Sequence, residues 1–394
     1  MPVATLKLTT PHVLGLAALG VVLGEGLKRR LPILDRLNIP ASVVGGLVYA
    51  FAALALRDRW VNFEVESSIR DLLQTAFFTT IGLNASWSLV RAGGAQVLWF
   101  WALASGGAVL QGLLGVGLGS VLGMHPLLGA ISGPGALAGG PATSLAFGEL
   151  FEKLGAGAAT TVGLASATFG ITVAGLLSGY VGGRLICGAG LQPAAHVAGS
   201  QPAAPSQDAP GLMRHVLALA AAMGLGSMLS ATIQRAGVVL PGYIGAMIVA
   251  AVLRNLDERF GFARLASAQV AQIGAVALYL FIVSALLTLR LWELAHLALP
   301  MIVLLVVQVG LVWALCRVMV YPAMGRSYEA AVMAAGYAGF MLGVTANALA
   351  AMEELERKHG PAPRAFIVVP LVGAFLIDFT DALLLTLAAN LLPR

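Results

Sequence analysis

Two apolar segments, about two hundred residues apart, are broken in the same manner. The first break is Gly139-Gly140-Pro141-Ala142-Thr143-Ser144 and the second is Gly343-Val344-Thr345-Ala346-Asn347. Each replaces helix-compatible apolar sequence with glycines and with hydroxyl- or amide-bearing side chains. Backbone that leaves the helix at membrane depth must be buried in protein or line a watery cavity, because lipid offers it no hydrogen bonds. Corresponding breaks in two halves of a membrane chain are the sequence pointer to the substrate site of a secondary transporter.

That reading requires a membrane protein, and composition supplies it. The chain of 394 residues is 59% apolar and 10% charged, with mean hydropathy +0.89. A soluble domain carries roughly 25% charged residues. The net charge of +5 is scattered, with no Lys/Arg run interleaved with aromatics, so nucleic acid is not an expected partner. Cys187 and Cys316 stand in apolar context without a CxxC or a nearby histidine, which argues against a disulfide or a structural metal. The first apolar stretch, from His12 to Leu27, lacks a basic leader and a cleavage site and reads as a span.

Apolar length places spans at 12–28, 40–56, 70–90, 95–122 and 157–187, then at 213–234, 241–254, 266–289, 294–320 and 364–391. Segments 127–152 and 329–357 are apolar but rich in breakers and read as re-entrant hairpins. Between the halves, Gly188–Gly211 holds four prolines and seven alanines and reads as a flexible linker. The expected fold is therefore an all-α polytopic membrane protein of two repeats, 1–187 and 212–394, joined by the linker 188–211. Five spans and a hairpin are an odd number of crossings, so the second repeat runs inverted. Phe77-Phe78-Thr79-Thr80-Ile81-Gly82-Leu83 in span three is weakly echoed by Leu280-Phe281-Ile282-Val283-Ser284-Ala285-Leu286 in span eight. The side holding Lys28, Arg29, Arg30, Arg36 and the linker collects 15 of the 23 basic residues, against 8. The positive-inside rule puts that side in the cytoplasm and both termini outside.

Half-helix N-termini offer N–H groups to an anionic substrate, and unwound carbonyls with hydroxyls and amides offer hard oxygen ligands to sodium. Gly140, Thr143, Ser144, Thr345 and Asn347 are the candidate substrate residues at the two tips. A single threonine in such a helix often only bonds back to its own backbone. Asp378 and Asp381 lie deep in the last span at a spacing that puts them on one helical face. A carboxylate there is costly and faces a bundle interior or a cavity. The pair suits a bound sodium ion, a shared proton, or an ion pair with a basic side chain. Asn84, after Gly82-Leu83 in span three, can add an amide oxygen, or it can glue helices together. Glu353, Glu354, Glu356, Arg357 and Lys358 read as a solvated helix end, as do Glu149, Glu152 and Lys153. Glu25 and His296 read as interfacial, and the six tryptophans as interface anchors.

In these residues the chain resembles the bacterial sodium/glutamate symporter family over nearly its whole length. The likeness is carried by Ile39-Pro40 with Gly45-Gly46-Leu47, by Val61-Asn62-Phe63, and by Ala76-Phe77-Phe78-Thr79-Thr80-Ile81-Gly82-Leu83-Asn84-Ala85. It continues through Arg91-Ala92-Gly93-Gly94, the first tip with Thr143, and Ala167-Thr168-Phe169-Gly170. In the second half it includes Leu291-Trp292-Glu293-Leu294-Ala295, Leu297-Ala298-Leu299-Pro300-Met301, Ala330-Ala331-Val332-Met333-Ala334-Ala335-Gly336 and Ala365-Phe366-Ile367-Val368-Val369-Pro370 leading to Ile377-Asp378. The resemblance implies a homodimer in the bacterial inner membrane, in contact with lipid, with a scaffold and a mobile domain that carries both hairpins. It also implies sodium-coupled uptake of a small anionic substrate, L-glutamate, by an elevator-like motion, with sodium as coupling ion and no other cofactor. Asp378, Asn84, Thr79 and Thr345 are then the candidate sodium ligands, with Asp378 foremost. Family members usually read Gly-Gly-His-Gly-Thr and Gly-Ala-Thr-Pro-Thr at the tips, and carry an asparagine where this chain has Asp381. These departures make a different small carboxylate or amino acid the alternative substrate, and make Asp381 a candidate for proton or ion coupling. An intramembrane enzyme is disfavoured by the absence of Gly-Asp, Gly-x-Ser-Gly and His-Glu-x-x-His motifs. A passive channel fits buried carboxylates beside broken helices less well than ion-coupled alternating access does.

Overall fold

The computed structural model describes residues 4–37, 39–57, 59–193, 211–294 and 296–393. Most of the proposed linker, 194–210, lies outside the described residues. The helices follow the expected spans closely: α1 Thr10–Arg30, α2 Ala41–Leu56, α3 Ser68–Asn84, α4 Gly94–Val121, the arms α5 Pro126–Ala130 and α6 Gly140–Lys153, and α7 Ala159–Ala189. The second half runs α8 Leu212–Arg235, α9 Tyr243–Phe260, α10 Ser267–Leu286, α11 Ala298–Ala323, the arms α12 Tyr328–Leu342 and α13 Thr345–His359, and α14 Pro363–Leu391. Seven of these, α1, α4, α7, α8, α10, α11 and α14, are long and apolar enough to cross a membrane by themselves. The other three expected spans are helices as well. Of these, α2 has only 16 residues, while α3 and α9 carry charges at their ends.

Two details differ from the sequence expectation. The chain is not wholly α, because Ala4–Leu8 (β1) pairs in parallel with Val61–Val65 (β2). Both segments alternate apolar and polar residues, the pattern of a strand with one wet face, and Lys7 meets Glu64 across them at 3.3 Å. Span three also stops at Asn84 rather than continuing to 90. Ser86 caps a new short helix, Trp87–Ala92, by accepting from Leu89 N at 3.2 Å, and the Asn255 amide oxygen takes the N–H of Trp87.

Packing sorts the helices into two bundles. In one, α1 packs on α2 and both lean on α10, while α8 packs on α9 and both lean on α3; α3 and α10 join the two groups. Each half thus completes its helix pair with the third span of the other half. Both pairs cross by the same device. A Cβ at Gly45 in α2 would strike the carbonyl oxygen of Gly20 in α1, and a Cβ at Gly245 in α9 would strike that of Gly226 in α8. Without side chains at these points the backbones approach to van der Waals contact, the usual glue of helices in lipid.

The second bundle holds α4, α11, α14, both hairpins and α7, against which both hairpins pack. Every residue from Ala330 to Leu342 of α12 is buried, so this arm is apolar on all sides because it has no lipid or water face. The ends of the described chain lie on one face. There β1 pairs with β2, and Asn390 near the C-terminus bonds both backbone groups of Val239, in the α8–α9 turn. On the opposite face the last turn of α9 is closed by Asp257, whose carboxylate accepts from the N–H groups of Ala263, Arg264 and Leu265 at 2.7, 2.9 and 2.7 Å.

Replacing Gly45 or Gly245 with valine should therefore lower the unfolding temperature in detergent, at a cost above the ~1–3 kcal/mol typical of overpacking. Gly15→Ala, with nothing near a new Cβ, should be neutral or stabilising. Acid provides a separate check. Burial pushes the Asp257 carboxyl up, but the three N–H donors and Arg254 outweigh it and hold it below the usual carboxylate range. Its contribution is therefore complete above about pH 4 and is lost as pH falls through the depressed value. Asp257→Asn should flatten that acid limb of the unfolding-temperature profile.

Candidate functional site

The two breaks meet in space. In the first hairpin α5 runs into a π turn, Ile131–Gly135, where Gly133 leaves helical geometry (φ −91, ψ −116) and Pro134 has no N–H to continue the ladder. The chain turns back and re-enters a helix at Gly140, whose φ of +67 lies in the left-handed region that glycine tolerates. In the second hairpin Gly343 leaves helical geometry (φ −142, ψ −120), Val344 is extended, and α13 starts at Thr345. A Cβ at Gly140 would stand 3.1 Å from Cγ1 of Val344 and 3.8 Å from the carbonyl oxygen of Gly343. Two helix N-termini, those of α6 and α13, therefore converge on one place.

Most of the polar side chains at the tips are engaged in holding the breaks. The Ser144 hydroxyl donates to the carbonyl of Gly140 at 2.8 Å, inside its own hairpin. The Asn347 amide donates to the Ile171 carbonyl of α7 at 3.0 Å and accepts from Val344 N at 3.4 Å. The Thr345 hydroxyl donates to the Gly373 carbonyl of α14 at 2.5 Å. The Thr79 hydroxyl bonds back to the Thr75 carbonyl at 2.6 Å, the bland alternative for a threonine in a span. Thr143 is buried, and its hydroxyl has no hydrogen bond among the described residues. The Asn84 amide oxygen is buried without a partner, but α3 holds it in the other bundle.

Gly373 belongs to a second break, a π turn over Val372–Leu376 that follows Pro370 within α14. Asp378 and Asp381 come just after it. Asp381 is fully buried with neither carboxylate oxygen hydrogen-bonded, and Asp378 is half-buried. Among the described residues no basic side chain pairs with either, so the ion-pair alternative is not what the structure holds. Leu385, one turn beyond Asp381 on the same face, packs against Gly135 of the first hairpin. An ionised carboxylate left unpaired in such a setting costs several kcal/mol. A proton or a cation must therefore accompany it. No cluster of three or more His, Cys, Asp or Glu side chains that would suit a transition metal occurs among the described residues. A hard monovalent cation held by carboxylate and backbone oxygens is the chemistry this donor set suits.

The sequence reading missed four side chains around the breaks. Gln111 of α4 donates to the Met341 carbonyl, beside the second break, at 3.0 Å. Gln308 of α11 donates to the Gln111 carbonyl at 2.8 Å and lies against Gly133. A lone glutamine in an apolar span is a readable signal for such a role. Tyr243 is buried, with its ring stacked on Phe78 at 3.8 Å and its hydroxyl unpartnered. Glu149 is no solvated helix end, because Arg70 of α3 pairs with it at 2.8 Å. No local pattern announces either of these last two. Trp101 is likewise no interface anchor: its indole N–H donates to the Thr380 hydroxyl at 3.0 Å.

Comparison with known proteins gives one consistent result. The sequence pattern of the family described as sodium/glutamate symporter matches residues 6–361. The chain is 37% identical over 391 residues to the sodium/glutamate symporter of Escherichia coli (strain K12), covering 96% of this chain and 97% of that protein. The sodium/glutamate symporter of Shigella flexneri gives the same values. That of Haemophilus influenzae is 31% identical over 395 residues, with 96% of each covered.

The hydrogen bonds separate two kinds of tip residue. Asn347→Ala should lower stability by about 1–3 kcal/mol, because the Val344 N–H at the break loses its acceptor and the buried tie to α7 is lost. Thr143→Ala removes no protein hydrogen bond and should leave the unfolding temperature within about 0.5 kcal/mol of the parent, changing transport alone. Paired thermal-unfolding and uptake measurements on the two variants check this.

Proposed function

Because the chain belongs to the sodium/glutamate symporter family, we propose that it is a sodium-coupled importer of L-glutamate, or of a closely related small carboxylate or amino acid. It is a transporter and not an enzyme, and a multi-pass protein of the bacterial inner membrane. The observation that carries the sodium reading is buried Asp381 beside half-buried Asp378, with no counter-charge among the described residues, one turn beyond the break that Thr345 holds. Asp378 is the principal sodium ligand, joined by the Thr345 region of the second tip; Asn84 and Thr79, the remaining candidates, lie across the seam on α3, where the Thr79 hydroxyl already bonds to its own backbone. Gly140, Thr143, Ser144, Thr345 and Asn347 bound the substrate position, where two helix N-termini favour an anion. The tip side chains act mainly by holding backbone in place, and Thr143 is the one free to touch substrate.

In this reading α1–α3 and α8–α10 form the scaffold, and the hairpin bundle moves against it as an elevator. The exchange of partners between α1–α2 with α10 and α8–α9 with α3 supports two inverted repeats. The distribution of basic residues puts the linker in the cytoplasm and both termini outside. The working unit is a homodimer. Asp381 favours a second reading of the cargo. A second carboxylate raises the negative charge at the site, so it takes up a proton or a further cation with the substrate. If neither happens, the added negative charge disfavours glutamate, and another small carboxylate or amino acid is the substrate.

Uptake of labelled L-glutamate into proteoliposomes under an inward sodium gradient tests this, against potassium-only vesicles. Asp378→Asn should abolish sodium-driven uptake while the protein still folds; normal sodium dependence would remove Asp378 from the site. Asp381→Asn should shift the pH profile of transport, and an unchanged profile would make that carboxylate structural.

A further inference from the structure

The seam between the two bundles contains a cavity of about 390 Å³, between α3, the second arm of the first hairpin and the α8–α9 turn. Its walls are mixed: Asp71, Gln74 and Thr75 from α3, Glu149 and Lys153 from α6, and Gln234 before the turn face the apolar Leu150 and Leu240. It opens near the starts of α3 and α9 and the end of α6, on the face that carries the strand pair and the chain ends. Tyr243 also lines it. The ring of Tyr243 is held between Phe78 of the scaffold, stacked at 3.8 Å, and Phe147 of the hairpin, edge-on at 6.3 Å. Its hydroxyl is buried and has no partner among the described residues. The π turn preceding Asp378 and Asp381 packs on α3, and α14 packs on α6, so the pair sits behind the same two helices that wall the cavity.

One ion pair among the described residues crosses the seam. Arg70 of α3 meets Glu149 of α6 at 2.8 Å, with side chains only 15% and 18% exposed. Arg70 is also held on the scaffold side, donating to the Thr288 hydroxyl at 3.3 Å. A buried pair of this kind contributes little net stability against an apolar replacement, but breaking it by removing one partner is costly. It ties the hairpin to the scaffold in one relative position.

We propose that this cavity is the aqueous access route by which a hydrated sodium ion reaches the Asp378–Asp381 pair from that face, with Tyr243 as its inner gate and Arg70–Glu149 as the latch that sets the spacing of its walls. The inference rests on the sodium-coupled reading above. In the gate, the ring blocks the passage and the phenol hydroxyl passes the ion from the cavity toward the carboxylates. In the latch, any slide of the hairpin bundle along the scaffold must part Arg70 from Glu149.

Thiol labelling of the full chain tests the route without relying on uptake. In a Cys187→Ser background, which leaves only the buried Cys316, Thr75→Cys is placed on the cavity wall and Leu72→Cys on the exposed apolar side of the same helix. In proteoliposomes a membrane-impermeant trimethylammonium methanethiosulfonate should react with Thr75→Cys at least about ten-fold faster than with Leu72→Cys, from one face only. Sodium should slow the reaction, and Glu149→Gln should change its rate in sodium-free buffer. Equal rates at the two positions, or indifference to both sodium and Glu149→Gln, would overturn the route. Sodium-dependent thermal stabilisation of the unmodified chain tests the underlying reading separately, since a ligand that binds only the folded state must raise the unfolding temperature. Stabilisation with an unreactive Thr75→Cys sinks the route alone; a reactive Thr75→Cys without stabilisation sinks the sodium reading. Tyr243→Phe keeps the ring and removes the hydroxyl, and should raise the sodium concentration for half-maximal stabilisation several-fold; an unchanged midpoint removes Tyr243 from the gate.

Discussion

Backbone that leaves a helix inside an apolar environment must find its hydrogen bonds within the protein, and the organisation of the hairpin bundle follows from that requirement. The solution is to draw donors from other elements. Gln111 on α4 serves the carbonyl of Met341 at the second break, Asn347 on α13 serves Ile171 of α7, and Thr345 serves Gly373 in the broken part of α14. Gln308 on α11 reaches back to Gln111 beside the first break. Together these bonds link the hairpins, α4, α7, α11 and α14 into one body. At Met341, where α12 ends, an unpaired carbonyl would cost about 1–3 kcal/mol.

The scaffold is held by a different kind of contact. Its helix pairs meet through glycines that let backbones touch, and the second half repeats the contact of the first. The two bundles are therefore held together internally for different reasons, and the seam between them carries one buried ion pair among the described residues, the Tyr243 aromatic cluster and a cavity of mixed lining. Bodies joined across such a lightly tied seam are suited to relative motion.

Much of this architecture can be read from the amino acids. The long helices and the positions of the breaks follow from apolar length and from breakers such as Gly139, Pro141 and Gly343, because those signals are local. Asp378 and Asp381 announce themselves by their cost in an apolar helix. The strand pair was not legible, since five alternating residues at Ala4–Leu8 gain meaning only from a partner more than fifty residues away. The same holds for Arg70 with Glu149 and for Tyr243 with Phe78 and Phe147. Their roles are set by tertiary neighbours rather than by spacing along the chain. Asn347 and Ser144 were legible as tip residues, but only the fold reveals that their polar atoms are turned to the backbone.

The π turn in α14 carries a further implication for how this helix presents its charges. A π turn accommodates one extra residue within an otherwise regular helix. Each residue of an α-helix advances the azimuth by about 100°, so the insertion rotates everything after it relative to everything before. Val368 and Val369, ahead of the turn, are buried, and Asp381, beyond it, is buried as well. An unbroken helix through Pro370–Leu376 would carry Asp381 around the axis toward a neighbouring sector of the helix surface. The local winding of five residues thus sets the heading of the carboxylate pair, and any event that regularised this turn would re-aim it without moving the helix axis.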